Sequence, residues 1–185
     1  MIFPAINLIR TELNSEGGIS SELGNIGELV TSGAINGNTN ADIIISLINV
    51  EENRISRDPR NYQKTSTGVF MKNPAVHLFL TLLFTSTRSE GAYGPALQNL
   101  QRVIQFFQQQ YVFDHTNTPG MDTGIEKLVM EMVSINLEQL NHLWAILGSR
   151  YQPSVVYKMR MVTIDSVSTI PGHLISDVEA KYFMK

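Results

Sequence analysis

The sequence predicts a single domain of the α/β (α+β) class, with a mixed or antiparallel sheet, helices packed on it, and extended loops or arms. Three observations predict it. Ile43 to Val50 and Ala75 to Thr87 are dense in β-branched and apolar residues over strand-like lengths. Leu97 to Tyr111 and Leu137 to Leu147 instead repeat their apolar residues at helical spacing. Val155 to Ile164 alternates cleanly, with Val155, Tyr157, Met159 and Met161 on one side and Lys158 and Arg160 on the other.

Taken in order, Ile2, Phe3, Ile6, Ile9 and Leu13 have the spacing of an amphipathic helix, which Asn14, Gly17 and Gly18 are suited to end. Leu23 to Val30 is apolar, but Gly24 and Gly27 leave it open between strand and helix. Ser32 to Asn40 reads as a loop, and Arg54 to Lys64 as a polar loop or arm around Pro59. Ile43 to Val50 is apolar on both faces and so belongs inside the sheet. Pro74 suits the start of the Ala75 strand, and Pro95 the first turn of the next helix.

That helix carries an apolar stripe of Leu97, Leu100, Val103, Ile104, Phe107 and Tyr111. Its other face, from Gln98 and Asn99 to Gln108 and Gln109, is polar and nearly uncharged. Thr116 to Gly124 reads as a loop and Leu128 to Ile135 as a strand. Asn136 followed by Gln139 has the form of a capping box for a helix striped with Leu137, Leu140, Leu143, Trp144 and Leu147. Gly148 closes it. After Asp165 there is little periodicity until a short helix near Ser176 to Phe183. The division expected is a domain over residues 1–165 and a tail or arm over residues 166–185.

Composition narrows the function. A chain of 185 residues can bury about 70% of its unfolded surface in one core. Its formal net charge of −3 gives no electrostatic footprint for nucleic acid or an anionic membrane. The absence of cysteine excludes disulfides, thiolate metal sites and a cysteine nucleophile. Arg10 and Glu12 interrupt the stretch where a secretion signal would be apolar. The apolar run Ala75 to Phe84 is about half the length a membrane span needs. These features predict a protein made in the cytoplasm, with no membrane or nucleic-acid partner.

No constellation of catalytic or ligand-binding residues stands out. His77, His115, His142 and His173 are scattered without metal-ligand spacing. Glu51 and Glu52 are adjacent on a strand, so they face opposite ways and cannot act as an acid/base pair. The glycines at 24, 27, 33 and 37 match no dinucleotide or phosphate loop. No cofactor, metal or catalytic residue is therefore expected, and Trp144 reads as core. The basic residues Arg54, Arg57, Arg60 and Lys64, and the strand residues Lys158 and Arg160, are the candidate contacts; solvated surface is the alternative for each.

Several segments in succession carry a resemblance. They are Leu23-Gly24-Asn25-Ile26, Leu47-Ile48-Asn49-Val50-Glu51-Glu52-Asn53, Arg60-Asn61, Asn73-Pro74-Ala75-Val76, and Val103-Ile104-Gln105-Phe106-Phe107-Gln108. Asn136-Leu137-Glu138-Gln139-Leu140-Asn141-His142-Leu143-Trp144 follows, then Leu147-Gly148 and Tyr151 to Arg160. Together they resemble the cap, or tail-terminator, proteins of extracellular contractile injection systems over about residues 1–165. Some relatives in that family carry long C-terminal extensions, and functions tied to those are not expected here.

The resemblance implies a tail-terminator-like fold and a non-catalytic homohexameric ring on the last layer of inner tube and sheath. Such a ring stops polymerisation, seals the lumen and holds the sheath to the tube, in a particle assembled in the cytoplasm and then released. Two other readings stay open from the residues themselves. One is a tube-initiating or baseplate adaptor of the same particle. The other is an enzyme or small-ligand domain, which a buried cluster of Asp114, His115 and Glu131 would favour.

Overall fold

In the computed structural model the described residues are 1–31, 41–53, 62–65, 68–71, 77–86, 93–148, 150–163 and 170–172. The chain opens with the expected helix, α1 (Ile2–Ser15), which buries Ala5, Ile6, Ile9 and Leu13. Pro4 sits in its first turn, where backbone N–H groups have no helical partner to lose. The helix ends where Glu16 and Gly17 both donate to the Glu12 carbonyl. Gly18 then turns the chain with a φ of +59°, a conformation open to glycine.

The elements that follow are β1 (Ser21–Leu23), α2 (Ile26–Thr31), β2 (Ile43–Glu52), β3 (Tyr62–Thr65), β4 (Gly68–Met71) and β5 (Leu78–Ser86). After them come α3 (Tyr93–Gln109), β6 (Val112–Asp114), β7 (Ile125–Val133), α4 (Leu137–Ile146), β8 (Ser154–Thr163) and β9 (Ile170–Gly172). The segment left open between strand and helix thus holds part of each, β1 and α2.

Six strands form the main sheet in the order β1-β2-β5-β8-β7-β6. β1 lies parallel to β2 and every other neighbouring pair is antiparallel, so the sheet is mixed, as expected. β3, β4 and β9 make a second, antiparallel sheet of three short strands. This corrects the expectation of a loop or arm at the end of the Arg54 to Lys64 stretch, because Tyr62–Thr65 is a strand paired with Gly68–Met71. Gln63, Lys64 and Thr65 have no apolar alternation, so periodicity could not reveal it. The Ser32 to Asn40 loop and the Ser176 to Phe183 helix lie outside the described residues.

Each face of the main sheet carries its own core. On one face α1 and α3 cover Ile43, Ile45, Leu80, Leu82, Phe84, Leu128, Met130, Val155, Tyr157, Met159 and Met161. An aromatic cluster fastens α3 to this face. The Phe107 ring lies 4.6 Å from Tyr157, 5.4 Å from Phe84 and 5.2 Å from Phe106, between centroids. The contacts with Phe84 and Phe106 are edge-to-face, and such pairs add about 0.5–1.5 kcal/mol each beyond the area they bury. Burial also pushes the Tyr157 hydroxyl pKa up.

On the opposite face α2 and α4 cover a smaller core of Ile26, Ala41, Ile44, Leu83, Trp144 and Val156. α4 begins in a complete capping box: Asn136 Oδ1 accepts from Gln139 N–H at 2.8 Å, and Gln139 Oε1 accepts from Asn136 N–H at 3.0 Å. Gly148 follows the helix with a φ of +65°. Trp144 is buried, as expected.

Two of the expected helical stripes are displaced. In α3, Leu97 is exposed and Asn99 is 6% exposed, the reverse of the predicted faces. The buried face follows Ala96, Asn99, Leu100, Val103, Phe106 and Phe107, and its small or polar members Ala96 and Asn99 give no apolar signal. Tyr111 lies beyond the helix and is exposed. In α4, Leu137 is 84% exposed, so contact with the sheet runs through Leu140, Leu143, Trp144 and Leu147.

Candidate interaction surface

α2 and α4 cover the sheet face only around Ile44, Leu83 and Val156. Further along the same face, strand alternation places Phe79, Thr81, Lys158, Arg160, Glu51 and Glu131 side by side. Glu51 reaches that face through a bulge. The β2–β5 register slips between Leu47 and Asn49, leaving Ile48 unpaired and reversing the order of faces beyond it. Lys158 Nζ then donates to Glu51 Oε2 at 2.7 Å and lies 4.4 Å from the centre of the Phe79 ring. Lys158 holds the Glu51 pKa below the ordinary carboxylate value, first through that hydrogen bond and then through its charge.

Of the expected contact residues, Lys158 and Arg160 are therefore neighbours on one open face, as their alternation predicts. Lys158 is engaged within the chain, whereas Arg160 is exposed, opposite Phe79 and Val129. Lys64 stands in β3. Arg54, Arg57 and Arg60 lie outside the described residues. The sequence drew attention to Glu51 only as half of a rejected acid/base pair and to Phe79 only within an apolar strand; a cross-strand partner for Lys158 was the signal that would have joined them.

The two ends of the main sheet differ in their hydrogen bonding. At the β6 end, Tyr111 C=O accepts from Met130 N–H, so alternation turns Val112 and Asp114 outward. Three of their four backbone groups are bonded within the chain. The Asn117 side chain donates to Val112 C=O and accepts from Asp114 N–H, each at 2.9 Å. Thr118 N–H takes the Asp114 carbonyl.

At the other end β1 covers β2 only from Ile43 to Ile45. There Ile43 N–H donates to Ser20 and Ile45 C=O accepts from Gly24, so Leu47 directs its own backbone groups to the same side. The chain leaves β2 at Ser46, whose Oγ donates to Gly24 C=O at 2.6 Å and accepts from Ile26 N–H at 3.2 Å. Beyond the bulge, Asn53 N–H points to His77 on β5, which turns Val50 outward. Asn49 Oδ1 accepts the Val50 N–H at 2.9 Å.

Apolar grooves run along both flanks of α4. One, of about 620 Å³, lies between Gly24, Asn25 and the β2 residues Ser46–Asn49 on one wall and Leu143, Ile146 and Leu147 on the other. The second, of about 380 Å³, is lined by Leu137, Leu140, Asn141, Trp144, Ala145 and Tyr151. Ile146 is 84% exposed at the rim of the first.

The groups that would have pointed to chemistry are placed otherwise. Asp114 accepts from Thr116 Oγ1 and from the N–H groups of Thr116 and Asn117, and the Thr116 bonds hold its pKa below the ordinary value. His115 Nε2 contacts the Ile125 carbonyl at 2.9 Å, and His115 and Glu131 are exposed, so the three form no buried cluster. His142 is exposed and His77 half-buried, while His173 lies outside the described residues. Among the described residues no group of three or more His, Asp or Glu side chains could hold a metal ion. No helix among them is long and apolar enough to cross a membrane.

The fold is shared with known proteins. The whole chain superposes on the sheath/tube terminator of an extracellular contractile injection system, PVC, in its extended state, with a TM-score of 0.59 and 15% identity. Three quarters of it (75%) superposes on the tube-terminating cap of the anti-feeding prophage, with a TM-score of 0.51 and 14% identity. The chain spans 65% of the first protein's length and 48% of the second's. No curated protein matches it. Residues 5–176 match the Pvc16 N-terminal domain, and the chain belongs to that family.

Proposed function

We propose that this chain is the structural cap, or tail terminator, of a contractile injection particle. In this reading it forms a homohexameric ring at the end distal to the baseplate. The ring stops growth of tube and sheath, seals the tube lumen and anchors the sheath to the tube. It is assembled in the cytoplasm and leaves the cell as part of the particle. The observation that carries the proposal is the superposition of the whole chain on a sheath/tube terminator, joined to its family membership.

The surface supports a role in assembly. A cyclic ring covers two different faces of each subunit, because head-to-tail contacts are heterologous. This chain offers two unlike surfaces: a sheet face with Arg160 exposed, and apolar grooves around α4. The polar roles of Asp114 and His115 within one turn support a non-catalytic reading. The Arg54, Arg57, Arg60 and Lys64 stretch and the C-terminal segment are the proposed contacts to neighbouring subunits or sheath.

Electron microscopy of particles from cells lacking this gene tests the proposal. Particles of uncontrolled length, with open ends or with tubes and sheaths separated, are expected. Sealed particles of normal length would overturn it.

A further inference from the structure

Besides the stripe that packs on the sheet, α4 carries a second one. Leu137, Asn141 and Ala145 follow at one-turn intervals along the groove that Leu140, Trp144 and Tyr151 complete. Leu137 is 84% exposed at one end of this stripe, and Tyr151 is 56% exposed at the other, its ring against Trp144. We infer that this face receives α4 of a second copy of the chain, laid antiparallel across a two-fold axis at Asn141.

The occupant follows from the symmetry of the stripe. An axis at Asn141 sets residue 137 of one copy against residue 145 of the other, so the bulky end of each helix meets the small end of its partner. Leu137 of the second copy then enters the groove of about 380 Å³ over Ala145, between Trp144 and Tyr151. Ridges of residues four apart interdigitate in this way where helices pack. The two Asn141 side chains come opposite one another, and each has a donor and an acceptor for the other. Charge agrees with the antiparallel sense. Glu138 lies in the first turn and Arg150 just beyond the last, both exposed, so each carboxylate arrives where the other copy holds its guanidinium. A parallel pair would set Glu138 beside Glu138 and Leu137 beside Leu137.

Two helices of this length bury about 1,000 Å² in all, the low end for a specific contact, so the pairing is weak and concentration-dependent. A two-fold contact is isologous and cannot join neighbours within a cyclic ring, so it pairs chains that do not share one. It therefore stands apart from the terminator reading. The groove between α4 and β2, on the other flank of the helix, stays open.

The chain has no cysteine, so single cysteines report the geometry directly. The test uses the purified full chain carrying Asn141→Cys or, as control, Ala145→Cys, under mild oxidation. Asn141→Cys is expected to give disulfide-linked dimers, because the two positions meet at the axis. Two Ala145 positions would stand about 12 Å apart, at about 1.5 Å per residue, so Ala145→Cys is expected to cross-link about tenfold less or lower. Sedimentation equilibrium of cysteine-free variants measures the contact. Leu137 is largely exposed, so Leu137→Glu spares the fold, and it is expected to weaken dimerisation about tenfold or more. Glu138→Arg is expected to weaken it about fivefold, since two charge pairs break at once, and adding Arg150→Glu to restore it. A wild-type chain that stays monomeric at hundreds of micromolar, or equal cross-linking at the two cysteines, would overturn the inference. So would a ring-sized species that Leu137→Glu dissolves, because the groove would then serve a head-to-tail contact.

Discussion

The Asn117 side chain stands beside Asp114 as a substitute for a neighbouring strand, with its oxygen on the Asp114 N–H and its nitrogen on the Val112 carbonyl. One amide thus satisfies two outward groups of an edge strand. Unsatisfied edges pair with other chains, and natural sheets protect them. Asn117→Ala is expected to cost about 1–2 kcal/mol in urea unfolding, the net worth of two hydrogen bonds. It should also produce concentration-dependent association, visible by size-exclusion chromatography. A variant as stable and as disperse as wild type would show that the pairing has no protective effect.

The capping box of α4 is measurable separately. Asn136→Ala removes the acceptor for Gln139 N–H and is expected to cost about 1 kcal/mol. Gln139→Ala, which loses only the return bond to Asn136 N–H, is expected to cost less. Urea titration of both variants checks the order.

Asn99 offers a change in the opposite direction. Its Nδ2 is buried without a hydrogen-bond partner. Asn99→Leu keeps the shape, removes the desolvated amide, and is expected to stabilise the fold by about 1 kcal/mol. Phe84→Ala, at the centre of the aromatic cluster, is expected to destabilise it by about 3–5 kcal/mol. A thermal melt of each variant decides the signs.

The Glu51–Lys158 pair predicts a pH dependence. The folded-state pKa of Glu51 lies below its ordinary value, so the pair stabilises the fold above that ordinary value. The contribution is lost as pH falls through the lowered one. Glu51→Gln should therefore melt slightly below wild type at neutral pH, with the difference closing in acid and shrinking at high salt. A difference that grows in acid would assign the effect to another group.

The basic stretch gives a test in the particle. Arg57→Glu with Arg60→Glu is expected to impair assembly, scored by electron microscopy as particles without a sealed end. Normal assembly would remove that stretch from the contact surface.

The long elements were legible because their periods are. Ile43 to Val50 and Val155 to Ile164 announce strands, and Asn136 with Gln139 announces α4. The three-residue strands β1, β6 and β9 are too short for any alternation to appear. The stripe of α3 was misplaced because Ala96 and Asn99 hold core positions that larger apolar residues normally mark. The candidate surface was half legible. Lys158 and Arg160 could be placed on one face, but Asn117, Asn49 and Ser46 matter through backbone groups that only the register of the sheet turns toward them.

The strand order has a consequence for synthesis. β8 lies between β5 and β7 at the middle of the sheet, yet it follows both in the chain. Until the ribosome has released it, β5 and β7 each have one unpaired side, and the sheet exists as two separate parts. Chains stalled or truncated before Ser154 would present those central, apolar edges to one another. Abundance in the cell should then depend sharply on translation reaching the end of β8, with shorter products going to chaperones or aggregates.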